Sequence, residues 1–312
     1  MTMKIEKENK RSLLGAIGNT PLVQLVNLNG NPGVQIFAKL EGNNPGGSVK
    51  DRPAYYMIKK AEESGQLTPD KIIIEPTSGN MGIALAMIGA AKGYKVKLFM
   101  PECVSVERQQ ILQAYGAEAV LTPAREAVDG AIRQAHKALE AEPDKYFMPD
   151  QFSNANNVLA HYETTGPEIF AQTEGKIDVF VAGMGTTGTL NGISRYLREK
   201  KKGIRIVAVE PTVGHTIQGL KNMKESIVPG IYDEKAFDEK ITIEDGDAFE
   251  TTRLLAVREG LFTGMSSGAA VAGVLKVAAK MKKGVIVTIL PDRGDRYLST
   301  TLFRSICAKC PP

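Results

Sequence analysis

Short apolar runs alternate with longer amphipathic stretches along most of the chain. Runs of aliphatic and β-branched residues predict strands, whereas apolar positions three and four residues apart predict helices. The predicted strands are residues 36–40, 71–75, 95–100, 117–121, 177–182, 204–210 and 285–290. The predicted helices are residues 52–64, 80–92, 105–115, 126–140, 190–200, 245–259 and 269–282. Because strands and helices alternate, we expect parallel sheets with crossover helices.

A loop at residues 149–157 separates two series of these elements. We therefore predict an α/β protein with two lobes, each a mostly parallel, twisted sheet flanked by helices. A smaller, mobile lobe is predicted over residues 42–149, and a larger lobe over residues 1–41 plus 150–312. Helix 80–92 is apolar on nearly all sides, which predicts that only its first turn reaches the cleft between the lobes.

Composition and charge narrow the function classes. The 312 residues carry a net charge of +4 with both signs mixed, and the absence of Trp argues against a base-stacking surface. The first eleven residues are polar, so a signal peptide is not indicated and a cytoplasmic protein without membrane contact is expected. Cys103 is interpreted as a small buried hydrophobe. Cys307 and Cys310 lack the further ligands of a zinc site, and no metal site is predicted.

Lys50 carries the strongest chemical indication. It follows a loop of turn-forming residues, NNPGGS at 43–48, and precedes a predicted helix, so its amine is held on a fixed element. Burial at such a position disfavours the charged form of lysine and makes the amine available for Schiff-base chemistry. A surface lysine at a turn is the alternative, and Lys50 alone does not choose between them.

A glycine-rich loop at 182–189 follows a predicted strand and precedes a helix. Its backbone N–H groups and threonine hydroxyls indicate a phosphate site at the positive end of that helix. The spacing of Gly183, Gly185 and Gly188 also fits the dinucleotide fingerprint, with Glu210 at the end of the next strand. The loop therefore leaves a nicotinamide enzyme open.

Two more loops precede helices. The loop at 75–82 offers hydroxyls, the Asn80 amide and free N–H groups to a small anion such as a carboxylate, although Ser and Asn also serve as ordinary helix caps. The loop at 263–270 is equally compatible with a tight turn and a serine N-cap.

Lys50 and these three loops together, in order and in wording, resemble the pyridoxal-phosphate (PLP) enzymes of the tryptophan-synthase-β fold type, PLP fold type II. The cysteine synthases, or O-acetylserine sulfhydrylases, are the closest resemblance. The likeness runs from Leu13 through GNTPL at 18–22 to RYLST at 296–300, almost the whole chain. It disfavours the dinucleotide interpretation, because four matched loops are more specific than one glycine pattern.

The resemblance implies a role for each loop. Lys50 would form the Schiff base with PLP and then remove the α-proton of the substrate. Asn80 would bind the ring oxygen of the cofactor, and Ser266 would face its pyridine nitrogen. The residues that would bind the cofactor phosphate are Gly185, Thr186, Thr187, Gly188 and Thr189.

The resemblance also implies a substrate site. Thr77, Ser78 and Gln151 correspond to the family's grip on the α-carboxylate of the amino acid. Met81 stands where the family usually has threonine, so one hydroxyl donor is missing and the carboxylate site is expected to be weaker or differently shaped.

Residues 216–229 and 292–297 resemble the B-type branch of the cysteine synthases. In that branch an arginine near the position of Lys221 meets a second anionic group, such as phosphate or the sulfonate end of thiosulfate. Lys221 could serve this role as a point charge. A solvated lysine on a mobile lid is the alternative.

The implied function is PLP-dependent β-replacement. It makes L-cysteine from O-acetylserine or O-phosphoserine and sulfide or another donor such as thiosulfate. A cystathionine β-synthase-like reaction of serine with homocysteine is the alternative; a nicotinamide oxidoreductase and a non-catalytic scaffold are more distant ones. A homodimer is expected, with serine acetyltransferase or a sulfur-carrier protein as partners and no nucleic acid.

Overall fold

The chain forms two sheets with helices packed on them, in a computed structural model that describes residues 11–77 and 79–303. The strands are β1 (Leu22–Leu25), β2 (Val34–Leu40), β3 (Ile72–Pro76), β4 (Val96–Pro101), β5 (Glu118–Thr122), β6 (Tyr146–Phe147), β7 (Val179–Gly183), β8 (Arg205–Pro211), β9 (Glu239–Ile243) and β10 (Gly284–Leu290). The α-helices are α1 (Asp51–Glu63), α2 (Asn80–Lys92), α3 (Val106–Ala114), α4 (Ala127–Ala141), α5 (Ala155–Ala160), α6 (Gly166–Gln172), α7 (Gly188–Lys200), α8 (Asp245–Glu259) and α9 (Met265–Ala278).

The larger sheet has the strand order β1-β2-β10-β7-β8-β9, and the smaller has the order β5-β4-β3-β6. Neighbouring strands are parallel throughout, except that β1 runs antiparallel to β2. We call the four-stranded sheet with α1 to α4 the small lobe, and the six-stranded sheet with α5 to α9 the large lobe. The predicted fold class is confirmed. The predicted lobe boundaries and the mobility of the small lobe stay predictions.

The apolar pattern explains why each helix lies where it does. Residues Met81–Gly89 of α2 are all buried in the small-lobe core, as the apolar sequence of this helix predicts. In the large lobe, α9 is buried along most of its length against the sheet. It begins at Met265, four residues before the prediction, because the loop that contains Ser266 is part of the helix.

Several elements escaped the prediction. The short edge strands β1, β6 and β9 and the helices α5 and α6 carry weaker periodicity than the central elements. Cys103 is exposed in the turn after β4, so its interpretation as a buried hydrophobe is wrong. Cys307 and Cys310 lie outside the described residues.

Two of the loops that carry the predicted site, at 75–82 and 182–189, follow parallel strands, whereas the loop at 263–270 follows helix α8. Parallel strands bring their carboxyl ends to one edge of a sheet, and ligands of α/β proteins bind outside that edge. The loops after β3, β7 and β10 leave from such edges and face each other between the two lobes.

Candidate active site

A cavity between the two lobes collects most of the residues that the sequence singled out. Gly188 is at the start of α7 beside it, and Ser78 lies outside the described residues. The predicted residues that line the cavity are Lys50, Thr77, Asn80, Met81, Gln151, Gly185, Thr186, Thr187, Thr189, Lys221 and Ser266.

Lys50 is the N-cap residue of α1, and its side chain faces the cavity. Burial lowers the pKa of its amine to about 8, while the negative charge of Asp292 opposes that shift. A lysine with such a pKa has a far larger neutral, nucleophilic fraction near neutral pH than an exposed lysine. The surface-lysine alternative is therefore wrong.

The backbone around Lys50 is fixed to the segment that follows β10. The N–H group of Val49 donates to the carbonyl of Pro291 at 2.8 Å, and Ser48 forms an isolated β-bridge with Asp292. The Arg296 guanidinium donates to the carbonyl of Gly46, in the same loop. These bonds place the lysine at a set position between the two lobes.

The glycine-rich loop is shaped to receive a compact anion. It ends at the N-terminus of α7, where free N–H groups and the helix dipole favour negative charge. Gly188 cannot be replaced without a clash, since a Cβ atom there would lie 2.1 Å from Oδ1 of Asn157. A Cβ atom at Gly185 would lie 2.4 Å from the carbonyl oxygen of Gly219. Thr187 adopts a left-handed backbone with φ of 70°, which completes the tight turn.

Two buried side chains orient the hydroxyls of this loop. Asn157 donates its amide to Oγ1 of Thr186 at 3.1 Å, and Nε2 of His161 lies 3.2 Å from Oγ1 of Thr189. Burial lowers the pKa of His161 well below its usual value, so the ring is neutral. His161 therefore orients Thr189 of the glycine-rich loop, which we call the phosphate cradle, and brings no charge into the cavity.

Glu210 is engaged elsewhere and does not serve a dinucleotide. Its carboxylate accepts the N–H group of Met223 at 3.0 Å and pairs with the Lys240 ammonium at 2.8 Å. The acidic residue of the dinucleotide fingerprint must be free for a ribose hydroxyl. The structure thus removes the main support for the nicotinamide alternative.

The start of α2 forms the opposite wall of the cavity. The N-cap residue of α2 is Gly79, and Oγ1 of Thr77 accepts the N–H groups of Gly79 and Gly82 at 3.0 and 3.3 Å, so the Asn80 amide does not cap this helix. The Asn80 amide is thereby free to donate to Asp292 at 2.6 Å. Met81, 1% exposed, fills the position of the missing threonine with an apolar side chain.

Ser266 lies in the first turn of α9 and faces the cavity. The N-cap residue of this helix is Gly264, so the serine N-cap alternative is wrong. A buried hydroxyl on a rigid helix is a fixed, neutral hydrogen-bonding group.

Lys221 is only 7% exposed, so the solvated-lysine alternative is wrong. Its ammonium nitrogen lies 3.6 Å from a carboxylate oxygen of Asp129, on α4 of the small lobe, and 5.0 Å from the ring centre of Phe152. Burial lowers its pKa, and the Asp129 charge opposes the shift. No hydrogen-bond acceptor satisfies this ammonium among the described residues.

A buried polar cluster, whose Asp292 carboxylate acts on the pKa of Lys50, was not predicted from the sequence. Asp292 accepts the Tyr297 hydroxyl at 2.6 Å and lies 4.0 Å from the Arg108 guanidinium, which packs 4.6 Å from the ring centre of Tyr297. The position of Asp292 just after β10 could have marked it, because strand ends line such clefts. Arg108 gave no such signal, since an arginine on an amphipathic helix usually faces solvent.

Residues 11–77 and 79–303 contain neither a metal-binding cluster nor a membrane-spanning helix. Within them no group of three His, Cys, Asp or Glu side chains could hold a metal ion, and no helix is long and apolar enough to cross a membrane.

A lysine of lowered pKa, an anion cradle at a helix N-terminus and a second helix start around one cavity define a PLP-type site. The family described as pyridoxal-phosphate dependent enzyme matches residues 13–292, and the chain belongs to that family.

Several similar proteins are cysteine synthases. Cysteine synthase B of Salmonella typhimurium is 50% identical over 287 residues, which cover 92% of this chain and 94% of that relative. The crystal structure of cysteine synthase from Entamoeba histolytica has a TM-score of 0.89 at 41% identity, covering 97% of this chain and 94% of that one. An O-acetylserine dependent cystathionine β-synthase from Helicobacter pylori has a TM-score of 0.88 at 38% identity, covering 94% and 98%. The resemblance, fold type and cofactor predicted from the sequence are confirmed.

Proposed function

We propose that this protein carries out PLP-dependent β-replacement on O-acetylserine or O-phosphoserine, making L-cysteine with sulfide as the sulfur donor and S-sulfocysteine with thiosulfate. The observation that carries the proposal is the convergence of Lys50 and the starts of α2 and α7 on one cavity. An amine, a phosphate cradle and a carboxylate site are the three protein groups that PLP chemistry on an amino acid requires.

Lys50 holds the cofactor and moves the α-proton. Bound PLP withdraws electrons from the substrate Cα and thereby acidifies that proton. The Lys50 amine, with a pKa of about 8, is matched to a base that works near neutral pH. After the leaving group departs from Cβ and the sulfur donor adds there, the same amine returns a proton to Cα.

The large lobe orients the cofactor. Gly185, Thr186, Thr187, Gly188 and Thr189 bind its phosphate at the start of α7. Ser266 would meet the pyridine nitrogen as a neutral hydroxyl, and Asn80 would meet the ring oxygen from the small lobe. A neutral partner keeps the ring less electron-demanding than a carboxylate would, which favours prompt loss of the β-substituent.

The start of α2 and the segment between β6 and α5 bind the amino acid. Thr77, Ser78 and Gln151, together with N–H groups at the start of α2, bind the α-carboxylate. Met81 narrows this site and offers it no hydroxyl, so its side chain shapes the fit and donates no bond.

Lys221 recognises a second anionic group, the phosphate of O-phosphoserine or the sulfonate end of thiosulfate. Its buried ammonium lacks a hydrogen-bond acceptor among the residues that the structure describes, and its charge partner Asp129 is 3.6 Å away. An anionic substrate supplies the missing acceptor.

The predicted lobes, 42–149 and 1–41 plus 150–312, close on the bound carboxylate and exclude water. The protein works in the cytoplasm as a homodimer. Apolar surface supports association, because Val26 and Val257, both more than half exposed, lie near the same end of α8. Serine acetyltransferase or a sulfur-carrier protein would bind at the mouth of the cleft.

Product analysis tests the proposal and its alternative. The holoenzyme is supplied with O-acetylserine or O-phosphoserine, each with sulfide or thiosulfate, and separately with serine or O-acetylserine plus homocysteine. L-cysteine, or S-sulfocysteine with thiosulfate, is the expected product. Cystathionine as the faster product would favour the reaction of the H. pylori relative instead. Absence of both products with PLP bound would overturn the proposal.

A further inference from the structure

Glu75 is a buried carboxylate that the proposed chemistry leaves without a role. It lies in β3, directly before residues 77–82, which carry the proposed α-carboxylate site and which we call the carboxylate loop, and its side chain is fully buried. Within the part of the chain that the structure describes, it forms no ion pair. Burial raises its pKa to about 8, and the hydrogen bonds that it accepts oppose this shift. A buried acid without a cation is costly, so a compensating role is expected.

The carboxyl group of Glu75 accepts hydrogen bonds from two neighbouring backbone N–H groups of a segment that is distant in sequence. One oxygen accepts the N–H group of Asp150 and the other accepts that of Gln151, each at 2.9 Å. The segment 150–151 follows β6 and leads from the small lobe into α5. Glu75 thus ties the strand before the carboxylate loop to the segment that carries Gln151.

The tied segment has a backbone shape that needs support. Asp150 has a φ of 52°, in the left-handed region that non-glycine residues rarely adopt. Its carbonyl accepts the N–H groups of Ser153 and Asn154 at 3.1 and 2.9 Å, and its own N–H group is the one that donates to Glu75. The turn is therefore bonded on both sides of Asp150.

Gln151 is fixed by two further groups. Its side-chain amide donates to the carbonyl of Pro76 at 3.1 Å, beside the carboxylate loop. Its own carbonyl accepts the amide of Asn157 at 2.8 Å, and that amide also reaches Thr186 of the phosphate cradle. The bond from Glu75 completes a frame that sets Gln151 relative to both the carboxylate loop and the phosphate cradle.

Only a carboxyl group suits this position. In either protonation state both of its oxygens keep a lone pair for an N–H donor. The amide of glutamine has one acceptor oxygen and a nitrogen that cannot accept, so one buried N–H group would face another donor. An unsatisfied buried donor carries a large free-energy cost.

We propose that Glu75 is a positioning residue that holds Gln151 in the geometry needed to bind the α-carboxylate of the substrate. The inference rests on the proposed role of Gln151. Glu75 touches neither substrate nor cofactor, and it acts through the backbone turn that it accepts bonds from.

A double-mutant cycle with Glu75→Gln and Gln151→Ala tests this inference. Glu75→Gln is expected to raise the KM for the O-activated serine on the order of tenfold with kcat changed little, because one buried N–H bond is lost. The affinity for L-cysteine, measured by calorimetry, is expected to fall by a similar factor. Adding Glu75→Gln to Gln151→Ala should then cost little more, since coupled residues are non-additive.

Glu62→Gln is the matched control. Glu62 lies in the same lobe, accepts bonds from Lys92 and Tyr94, and does not line the cavity. This variant is expected to lower the melting temperature while leaving KM unchanged. Should Glu75→Gln fail to fold, Glu75→Asp keeps the acid but shortens its reach, and a KM effect is expected there too.

Additive effects in the cycle, or a loss of stability in Glu75→Gln without a change in KM, would overturn the inference alone. A Gln151→Ala variant with unchanged KM and unchanged L-cysteine affinity would overturn both this inference and the proposed role of Gln151.

Discussion

Lys50 and Lys221 line the same cavity, yet the protein holds them in opposite ways. Lys50 stands at a helix start whose backbone is bonded to the segment after β10, and its amine has a pKa of about 8. Lys221 is buried with its ammonium 3.6 Å from Asp129, across the cleft on α4. Burial lowers the pKa of both amines, and a carboxylate opposes the shift in each case.

The two carboxylates differ in what else they serve. Asp292 accepts hydrogen bonds from the Asn80 amide and the Tyr297 hydroxyl, each at 2.6 Å. It therefore acts on Lys50 through its negative charge. Asp129 faces Lys221 directly from the other lobe. Asp129 opposes the lowering of the Lys221 pKa from 3.6 Å, and the unsatisfied hydrogen-bonding capacity of the amine leaves room for another anion. Lys50 is therefore the reactive amine, and Lys221 is the amine that binds an anion.

Replacing Lys50 should have the largest effect on that comparison. Lys50→Ala removes the proton-transfer group, so turnover should fall by about a thousandfold or more. The melting temperature should stay near that of the wild type, because the loop is held by backbone bonds that do not involve the amine. Steady-state kinetics and thermal unfolding check both parts. Lys240→Ala, which loses only an ion pair with Glu210, is the control and should retain activity.

The pH dependence of cofactor uptake tests the influence of Asp292 on Lys50. Only the neutral amine attacks an aldehyde, so the rate of PLP uptake by cofactor-free protein should rise through about pH 8. The charge of Asp292 raises the pKa of Lys50, so Asp292→Asn should move the midpoint to lower pH. Asp129→Asn removes the carboxylate beside Lys221, which does not influence the pKa of Lys50, and should leave the midpoint in place. Equal midpoints in the wild type, Asp292→Asn and Asp129→Asn would contradict the influence of Asp292 on the pKa of Lys50.

The difference between the lysines also explains what the sequence could predict. The roles of Lys50 and of the loop after β7 could be predicted from the sequence. In both cases the turn residues and the helix start that form the site are adjacent in the chain. The pairing of Lys221 with Asp129 and the cluster around Asp292 join elements that are distant in sequence. Nothing in the local pattern indicates which buried charges meet, so these contacts required the fold.

Replacing Lys221 should have a smaller and selective effect. Lys221→Ala removes the charge that meets a second anionic group, so use of O-phosphoserine or thiosulfate should fall roughly tenfold, the scale of one charge-assisted hydrogen bond. Use of O-acetylserine with sulfide should change little. The measurement is kcat/KM for each substrate pair. An equal loss on all pairs would contradict the role of Lys221 in anion recognition.

Asp129→Asn should produce the smallest change, and in the opposite direction. Asp129 competes with an anionic substrate for Lys221, and the approach of a phosphate or sulfonate also brings two negative charges together. Removing the Asp129 charge should therefore raise kcat/KM for O-phosphoserine and thiosulfate by a few-fold, the scale of a weak ion pair. The gain should vanish in the Lys221→Ala background, because the competition requires the lysine. A gain that persists without Lys221 would mean that Asp129 repels anionic substrates by its charge alone. Lys221 would then not be the group that recognises them.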